Sequence, residues 1–207
     1  MAIEALLFDL GKVLVDFDFE IGIKKFCARS ALPRKEFEPI IVDPTWVRRY
    51  ESGQIASAEF HRHLSEKGQL QMSIEEFHEA WSSVFLDLIV PERLLASLKA
   101  RYPLILVSNT NESHASFIAR HYRVFEYFDH KILSHEVRSL KPDRKIYDAA
   151  IAAAGKPPES LFFTDDRPEN IEMALKLGIR AHQFRSVPDL VNALQKHGVH
   201  VGDFVPS

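Results

Sequence analysis

The 207-residue sequence predicts an α/β protein: a doubly wound parallel sheet with a helical cap inserted directly after the first strand. Three observations predict it. Short apolar runs alternate with stretches of helical periodicity, the pattern of successive βα units. Residues 15–90 break that alternation and carry amphipathic stretches only. The apolar runs also end in, or lead to, residues able to carry chemistry, and strand ends are where open α/β sheets bind ligands.

The first strand is Ala5–Phe8, followed by Asp9 and Gly11. In the insert, Phe19, Ile23, Phe26 and Cys27 recur at helical spacing. Trp46 and Tyr50 lie one turn apart, as do Phe60 and Leu64. Phe77, Trp81, Val84 and Phe85 follow a Ser73-x-x-Glu76 capping box. Pro33, Pro39, Pro44, Gly53 and Gly68 separate these stretches, and no strand is predicted between residues 15 and 90. Pro91 then opens a helix carrying Leu94, Leu95 and Leu98 ahead of the second strand, Leu104–Val107. Phe117, Ile118 and Tyr122 mark the next helix, and Lys131–Leu133 the third strand. Ile146 and Ala150 lie on a helix stopping near Gly155, before the fourth strand, Leu161–Thr164. Ile171, Ala174 and Leu175 form a stripe ended by Gly178. The fifth strand, Arg180–Phe184, precedes a helix with Leu190, Val191 and Leu194, entered through Ser186 to Asp189. The expected organisation is a core of residues 1–14 and 91–207 and a helical cap of residues 15–90.

Composition narrows the partners. A formal net charge of -3 with both signs scattered gives no drive toward nucleic acid or a membrane surface. Cys27 is the sole cysteine, so no intrachain disulfide forms, in keeping with a reducing compartment. The N-terminal apolar run lacks a basic leader and is interrupted by Asp9, so no signal peptide is expected. No stretch is long and apolar enough to span a bilayer. A cytoplasmic protein is the expectation, with oligomeric state left open.

Four strand-end positions stand out: Asp9 after the first strand, Ser108-Asn109-Thr110 after the second, Lys141-Pro142 beyond the third, and Asp165-Asp166 after the fourth. Singly each has an ordinary explanation, as a helix cap, an exposed loop or a solvated turn. Together, at ends that a doubly wound sheet brings to one place, they make a phosphoryl-transfer site. Such a site needs an in-line nucleophile and neutralisation of the phosphoryl oxygens. Asp9 fits the nucleophile. Asp9, Asp165 and Asp166, with the main-chain oxygen of Gly11, offer hard oxygen ligands suited to Mg²⁺. Ser108 and the backbone N–H groups of Asn109 and Thr110 can cradle phosphate near a helix N-terminus. Lys141 can pair with both Asp9 and phosphate.

In these motifs, in this order, the chain resembles the haloacid dehalogenase-like hydrolase superfamily. The likeness covers nearly the whole sequence, including the helical cap over a Rossmann-like core and the Glu51-Ser52-Gly53-Gln54-Ile55 turn typical of such caps. It implies an aspartyl-phosphate on Asp9, phosphate binding by Ser108, a steadying Lys141, and Mg²⁺ on Asp165-Asp166, the second touching the metal directly and the first through water. Most phosphatases of the family carry Asp where this chain has Gly11. The glycine points to a bacterial branch with Asp-x-Gly-Asn-Val, which includes α-D-glucose 1-phosphate phosphatases and resembles the N-terminal phosphatase of soluble epoxide hydrolases; Lys12 departs from its usual Asn.

The expected function is therefore Mg²⁺-dependent hydrolysis of small phosphorylated metabolites, sugar phosphates first. Two alternatives stand beside it: a metal-independent 2-haloacid dehalogenase, and a non-catalytic binding protein on the same scaffold. Trp46, Arg49, Tyr50 and His61 are the candidates for substrate specificity from the insert. Asp16 and Asp18, on the linker, are candidates to replace the carboxylate absent at Gly11.

Overall fold

The computed structural model describes residues 1–204. In chain order its elements are β1 (Ala5–Phe8), β2 (Val15–Phe17), α1 (Phe19–Cys27), α2 (Arg34–Ile41), α3 (Pro44–Glu51), α4 (Ser57–Lys67), α5 (Ile74–Ser82) and β3 (Phe85–Leu88). They continue with α6 (Glu92–Lys99), β4 (Leu104–Ser108), α7 (Glu112–His121), β5 (His130–Leu133), α8 (Ser134–Val137), α9 (Arg144–Ala154), β6 (Leu161–Asp165), α10 (Pro168–Lys176), β7 (Arg180–Gln183) and α11 (Val187–Lys196).

The main sheet has the order β5-β4-β1-β6-β7, with every pairing parallel. The chain runs outward from β1 to β5 on one side, then crosses back to β6 and β7 on the other. The crevice beyond the carboxyl ends of β1, β4 and β6 is thus the place where such a sheet takes its ligand. Alternation along each strand splits the core between two faces. Leu6, Phe8, Leu104, Leu106 and Phe162 pack on one face with Leu94, Leu98, Ile118 and Leu190. Ala5, Leu7, Ile105, Val107 and Phe163 pack on the other with Ile146, Tyr147, Ala150 and Ala174. Leu175, expected on the packed stripe of α10, is 55% exposed instead.

Between β1 and β4 the structure departs from expectation in two ways. Residues 15–90 do contain strands: β2 and β3 form an antiparallel ribbon, with Val15 opposite Leu88 and Phe17 opposite Phe85. Phe85 had continued the periodic run of α5, but the helix ends at Ser82 and the chain turns into extended backbone. There is also a further helix, α2, entered from Pro33 and containing Pro39. Proline as helix punctuation hides it: Pro39 lies inside the helix and gives up the hydrogen bond to the Lys35 carbonyl, and the burial of Phe37 and Ile41 holds the helix despite that loss. The capping box on Ser73 and Glu76 forms in both directions. The five helices α1–α5 have a core of their own, with Phe26, Phe37, Tyr50, Phe60, Leu64 and Phe77 buried together.

This helical insert is pinned to the sheet half at the end of α3. Tyr50 Oη lies 2.6 Å from Ser57 Oγ and 2.5 Å from Ser113 Oγ. Ser134 Oγ donates to the Glu51 carbonyl at 2.6 Å, and Ser57 N–H donates to the Glu112 carboxylate at 2.8 Å. Gly53 has φ +64°, and a Cβ there would run into the His135 carbonyl oxygen. Gly53→Ala therefore combines left-handed strain with a backbone clash. It is expected to lower unfolding free energy by roughly 2–4 kcal/mol in urea titrations monitored by circular dichroism. No helix among the described residues is long and apolar enough to cross a membrane.

Candidate active site

Asp9 follows β1 directly, and its N–H donates to the Thr164 carbonyl of β6 at 3.0 Å, so the first carboxylate is tied to the strand that carries the next two. Asp165 ends β6 and Asp166 follows it. Ligand oxygens of Asp9, Asp165 and Asp166 lie within 4.8 Å of one another. Lys141 Nζ donates to Asp9 Oδ1 at 2.5 Å, to Asp165 Oδ2 at 2.6 Å and to the Val107 carbonyl at 2.8 Å. The ammonium is 4% exposed at residue level, and only its two carboxylate partners make that depth tolerable.

These groups shape one another's charge. Burial pushes the Asp9 carboxyl above the usual carboxylate range; Lys141 pulls it down, and Asp165 pushes it further up. Burial works to lower Lys141, but Asp165 and Asp9 together raise it, so it stays an ammonium. Burial, and then repulsion from Asp165, raise Asp166. Three carboxylates against one ammonium leave the cluster short of positive charge. The donors are all oxygen, which suits a hard divalent cation that dehydrates reluctantly and tolerates one or two protein carboxylates. Asp165 is the most heavily engaged: Asn170 Nδ2 donates to both its oxygens at 2.9 and 3.0 Å, and Arg167 N–H to one of them at 2.9 Å. Asp9, Gly11 and Asp166 line the cavity and face a ligand more directly.

The residues after β4 divide their work differently from expectation. Ser108 lines the cavity. Asn109 uses its side chain as a clamp on the Lys141 backbone, donating from Nδ2 to the carbonyl at 3.0 Å and accepting from the N–H at 2.7 Å. The Thr110 N–H is committed to Ser134 Oγ at 2.8 Å. It cannot cradle phosphate while that bond stands, a correction to its predicted role. The cause is tertiary: Ser134 arrives from α8, and also donates to the Glu51 carbonyl.

Position 11 has its own explanation. A Cβ on Gly11 would lie 2.7 Å from Cε1 of Phe17, so any side chain at this position requires that ring to move aside. That ring is held by Lys12, whose ammonium sits 4.7 Å above it and donates to Asp16 at 2.6 Å and to the Phe17 carbonyl at 2.7 Å. Asp16 is thereby spent: hydrogen bonding from Lys12 holds its carboxyl below the usual range. Asp18 caps α1, accepting from the Glu20 N–H. Neither lines the cavity over Asp9.

The structure also moves the specificity candidates away from the site. Tyr50 is buried in the insert core. Trp46 stacks on His63 at 3.7 Å, the Arg49 guanidinium lies 4.6 Å over the Trp46 ring, and Arg49 pairs with Glu59 at 3.1 Å. His61 Nε2 is 2.8 Å from the Met72 carbonyl. None of the four lines the cavity over Asp9. The four-residue spacing of Trp46 and Tyr50 reports the face of α3 that packs within the insert. Glu51, about 100° further round the helix, turns to the sheet.

Glu51, at the start of the Glu51–Ile55 turn, carries no local sequence signal for its place in the site. It lines the 220 Å³ cavity together with Asp9, Lys141, Asp166 and Arg167. Its carboxylate makes no hydrogen bond with the described residues, and burial pushes it up to about 7 against the pull of Arg167 and Arg48. Phe17, Phe19 and Phe85 also line this cavity, with His114. Burial takes His114 down to about 4, and its Nε2 lies 3.0 Å from the Trp81 carbonyl, so it is a neutral ring donating to that oxygen.

Comparison with known proteins gives the same direction. The family profile described as haloacid dehalogenase-like hydrolase matches residues 3–178. The D-ribitol-5-phosphate phosphatase of Bacteroides thetaiotaomicron is 27% identical over 190 residues, covering 87% of this chain and 91% of its own. Flavin mononucleotide hydrolase 1 of Arabidopsis thaliana is 24% identical over 196 residues, 95% of this chain and 78% of its own. A haloacid dehalogenase-family enzyme of Bacteroides thetaiotaomicron, solved with magnesium and inorganic phosphate, superposes with a TM-score of 0.78 at 31% identity, covering 90% of this chain and 96% of its own.

Proposed function

The chain belongs to the haloacid dehalogenase-like hydrolase family and is a phosphoric monoester hydrolase, and from that premise we propose that it transfers the phosphoryl group of a small phosphorylated metabolite to Asp9 and then to water. The observation that carries this reading is the convergence of Asp9, Lys141, Asp165 and Asp166 in one cavity beside Ser108.

Mg²⁺ is the cofactor, and the carboxylates of Asp9, Asp165 and Asp166 with the Gly11 carbonyl are the groups that would hold it; bound there it neutralises phosphoryl charge. Lys141, fixed by the Asn109 clamp, keeps Asp9 ionised and aimed. The Ser108 hydroxyl and the Asn109 N–H receive phosphoryl oxygens. Glu51, in place of the carboxylate absent at position 11, protonates the departing alkoxide and then accepts a proton from the attacking water.

The organic part of the substrate is the finer question. The relative acting on D-ribitol 5-phosphate supports a sugar or polyol phosphate, whereas the one acting on flavin mononucleotide takes a large planar ring. The dehalogenase reading draws nothing from a site with an excess of carboxylates. The reading is tested by phosphate release from a panel of monoesters, wild type against Asp9→Asn.

Metal linkage gives a second test. Mg²⁺ at a hundred times its dissociation constant is expected to stabilise the fold by about 2.7 kcal/mol. That raises Tm by roughly 5–11 °C over an EDTA-treated sample in differential scanning calorimetry. Asp166→Asn is expected to remove most of the shift, and an equal shift in that variant would place the ion elsewhere.

A further inference from the structure

A second cavity of about 310 Å³ lies inside the helical insert. It abuts the one over Asp9, with Phe19, Glu51, Val84 and His114 belonging to the walls of both. Its inner wall is made by Ile23, Phe26, Ile41, Val47 and Trp81, and apart from Glu51 and His114 every side chain lining it is aliphatic or aromatic. His114 brings no charge to it and spends its Nε2 proton on the Trp81 carbonyl. At the rim, Phe19 and Val42 are 52% and 48% exposed, among the few large apolar side chains the fold leaves uncovered.

The position of this cavity bears on the organic part of the substrate. A phosphate monoester seated against Asp9, Ser108 and Lys141 must direct its organic part away from the sheet, toward Glu51 and the insert. The next available volume in that direction has hydrocarbon walls. A polyol entering it beyond the reach of Glu51 would lose water from hydroxyls that find no partner among the aliphatic and aromatic walls, at a cost of roughly fivefold in affinity or more for each. A hydrocarbon chain or ring would gain from the same walls.

We propose that the natural substrate is a phosphate monoester with a predominantly apolar organic group, an alkyl chain or a hydrocarbon-rich ring, lodged between α1, α3 and α5; this rests on phosphoryl transfer to Asp9 as proposed above. The second cavity is then the leaving-group site, and Glu51 stands at the neck between it and the phosphate.

The test is a series of n-alkyl phosphates from propyl to decyl, below their micellar concentrations. Their leaving-group basicity is nearly constant, so a trend in kcat/KM reports contact with the walls. The expected result is a rise of about fourfold per methylene until the cavity is full, with pentyl phosphate preferred to ribitol 5-phosphate by at least about tenfold, two unpartnered hydroxyls being enough for that. Val47→Trp, which fills the cavity, is expected to bring the plateau to shorter chains. Should that variant not fold, Ile23→Ala enlarges the cavity and is expected to move the plateau to longer ones. A flat series, or preference for the polyol, overturns the apolar substrate while phosphate release leaves phosphoryl transfer standing. A flat series together with a dimer that Val42→Asp dissociates, seen by sedimentation velocity, assigns the face to a second copy of the chain and also overturns it. Absence of release from every ester, activated aryl phosphates included, overturns the underlying phosphatase reading.

Discussion

Asp9→Asn is expected to release phosphate about 10⁴- to 10⁶-fold more slowly than the wild-type chain, the loss seen when a covalent nucleophile acting within a unit is removed. The amide is nearly isosteric but is not a nucleophile at the phosphoryl centre. The fold has little reason to change. Lys141 keeps its bonds to Asp165 and to the Val107 carbonyl, and the Asp9 N–H stays on the Thr164 carbonyl. The variant should therefore melt cooperatively, bind inorganic phosphate weakly and lack the acid-stable phosphorylated species that rapid-quench mass spectrometry is expected to find on wild type. The two decisive readings are the turnover and the adduct. A variant with wild-type turnover, or a wild-type adduct mapped to another residue, would remove Asp9 from its role.

Glu51→Gln carries the second large effect, and its signature is selective. For alkyl phosphates, whose alkoxide must be protonated as it leaves, kcat/KM is expected to fall about 10²- to 10⁴-fold. For aryl phosphates with acidic phenols it should change little, because kcat/KM covers only the steps up to transfer to Asp9. The second half-reaction still needs a base. The variant should thus release one equivalent of phenol in a burst and then stall as the phosphorylated enzyme. Loss of equal size for both classes of ester would make Glu51 a positioning residue and not an acid.

The pH dependence of that step has a definite sign. With its carboxyl pushed up to about 7, Glu51 is the acid below that pH, and wild-type kcat/KM on alkyl phosphates should decline as pH rises through it. Glu51→Gln should lack this limb. Stability runs the same way. A carboxyl whose folded value is raised contributes stability that is whole below its unfolded value of about 4.3 and is lost as pH climbs through about 7. Above that pH the uncharged glutamine should melt higher than wild type, whereas at pH 4 the two should coincide. The other charged groups on this cavity are Asp9, Lys12, Lys141, Asp166 and Arg167. Any of them that titrated in the same range would leave its limb in the Gln variant.

Gly11 joins these observations. Read alone, it is a missing acid. In the structure it is the neighbour of an aromatic ring that Lys12 and Asp16 hold in place. In the proposed mechanism the acid–base function comes from across the cavity, from a helix of the insert whose end Gly53 and Ser134 hold in contact with the sheet half.

The division between what was legible in the sequence and what was not follows physical lines. Asp9, Ser108, Lys141, Asp165 and Asp166 could be read directly, as could the alternation of strands and helices. A parallel strand covered on both faces must be a short apolar run, and the first polar residue after it lies where the sheet binds its ligand, so pattern and place coincide locally. The tertiary structure alone decided the rest. The Thr110 N–H was spent on Ser134, Trp46 and Tyr50 were turned into the insert, Phe17 took the space beside Gly11, and Glu51 came to the neck of two cavities. Each of these depends on contacts between segments remote in sequence. No local periodicity encodes which face of α3 meets the sheet, because that face is chosen by the packing of the insert as a whole.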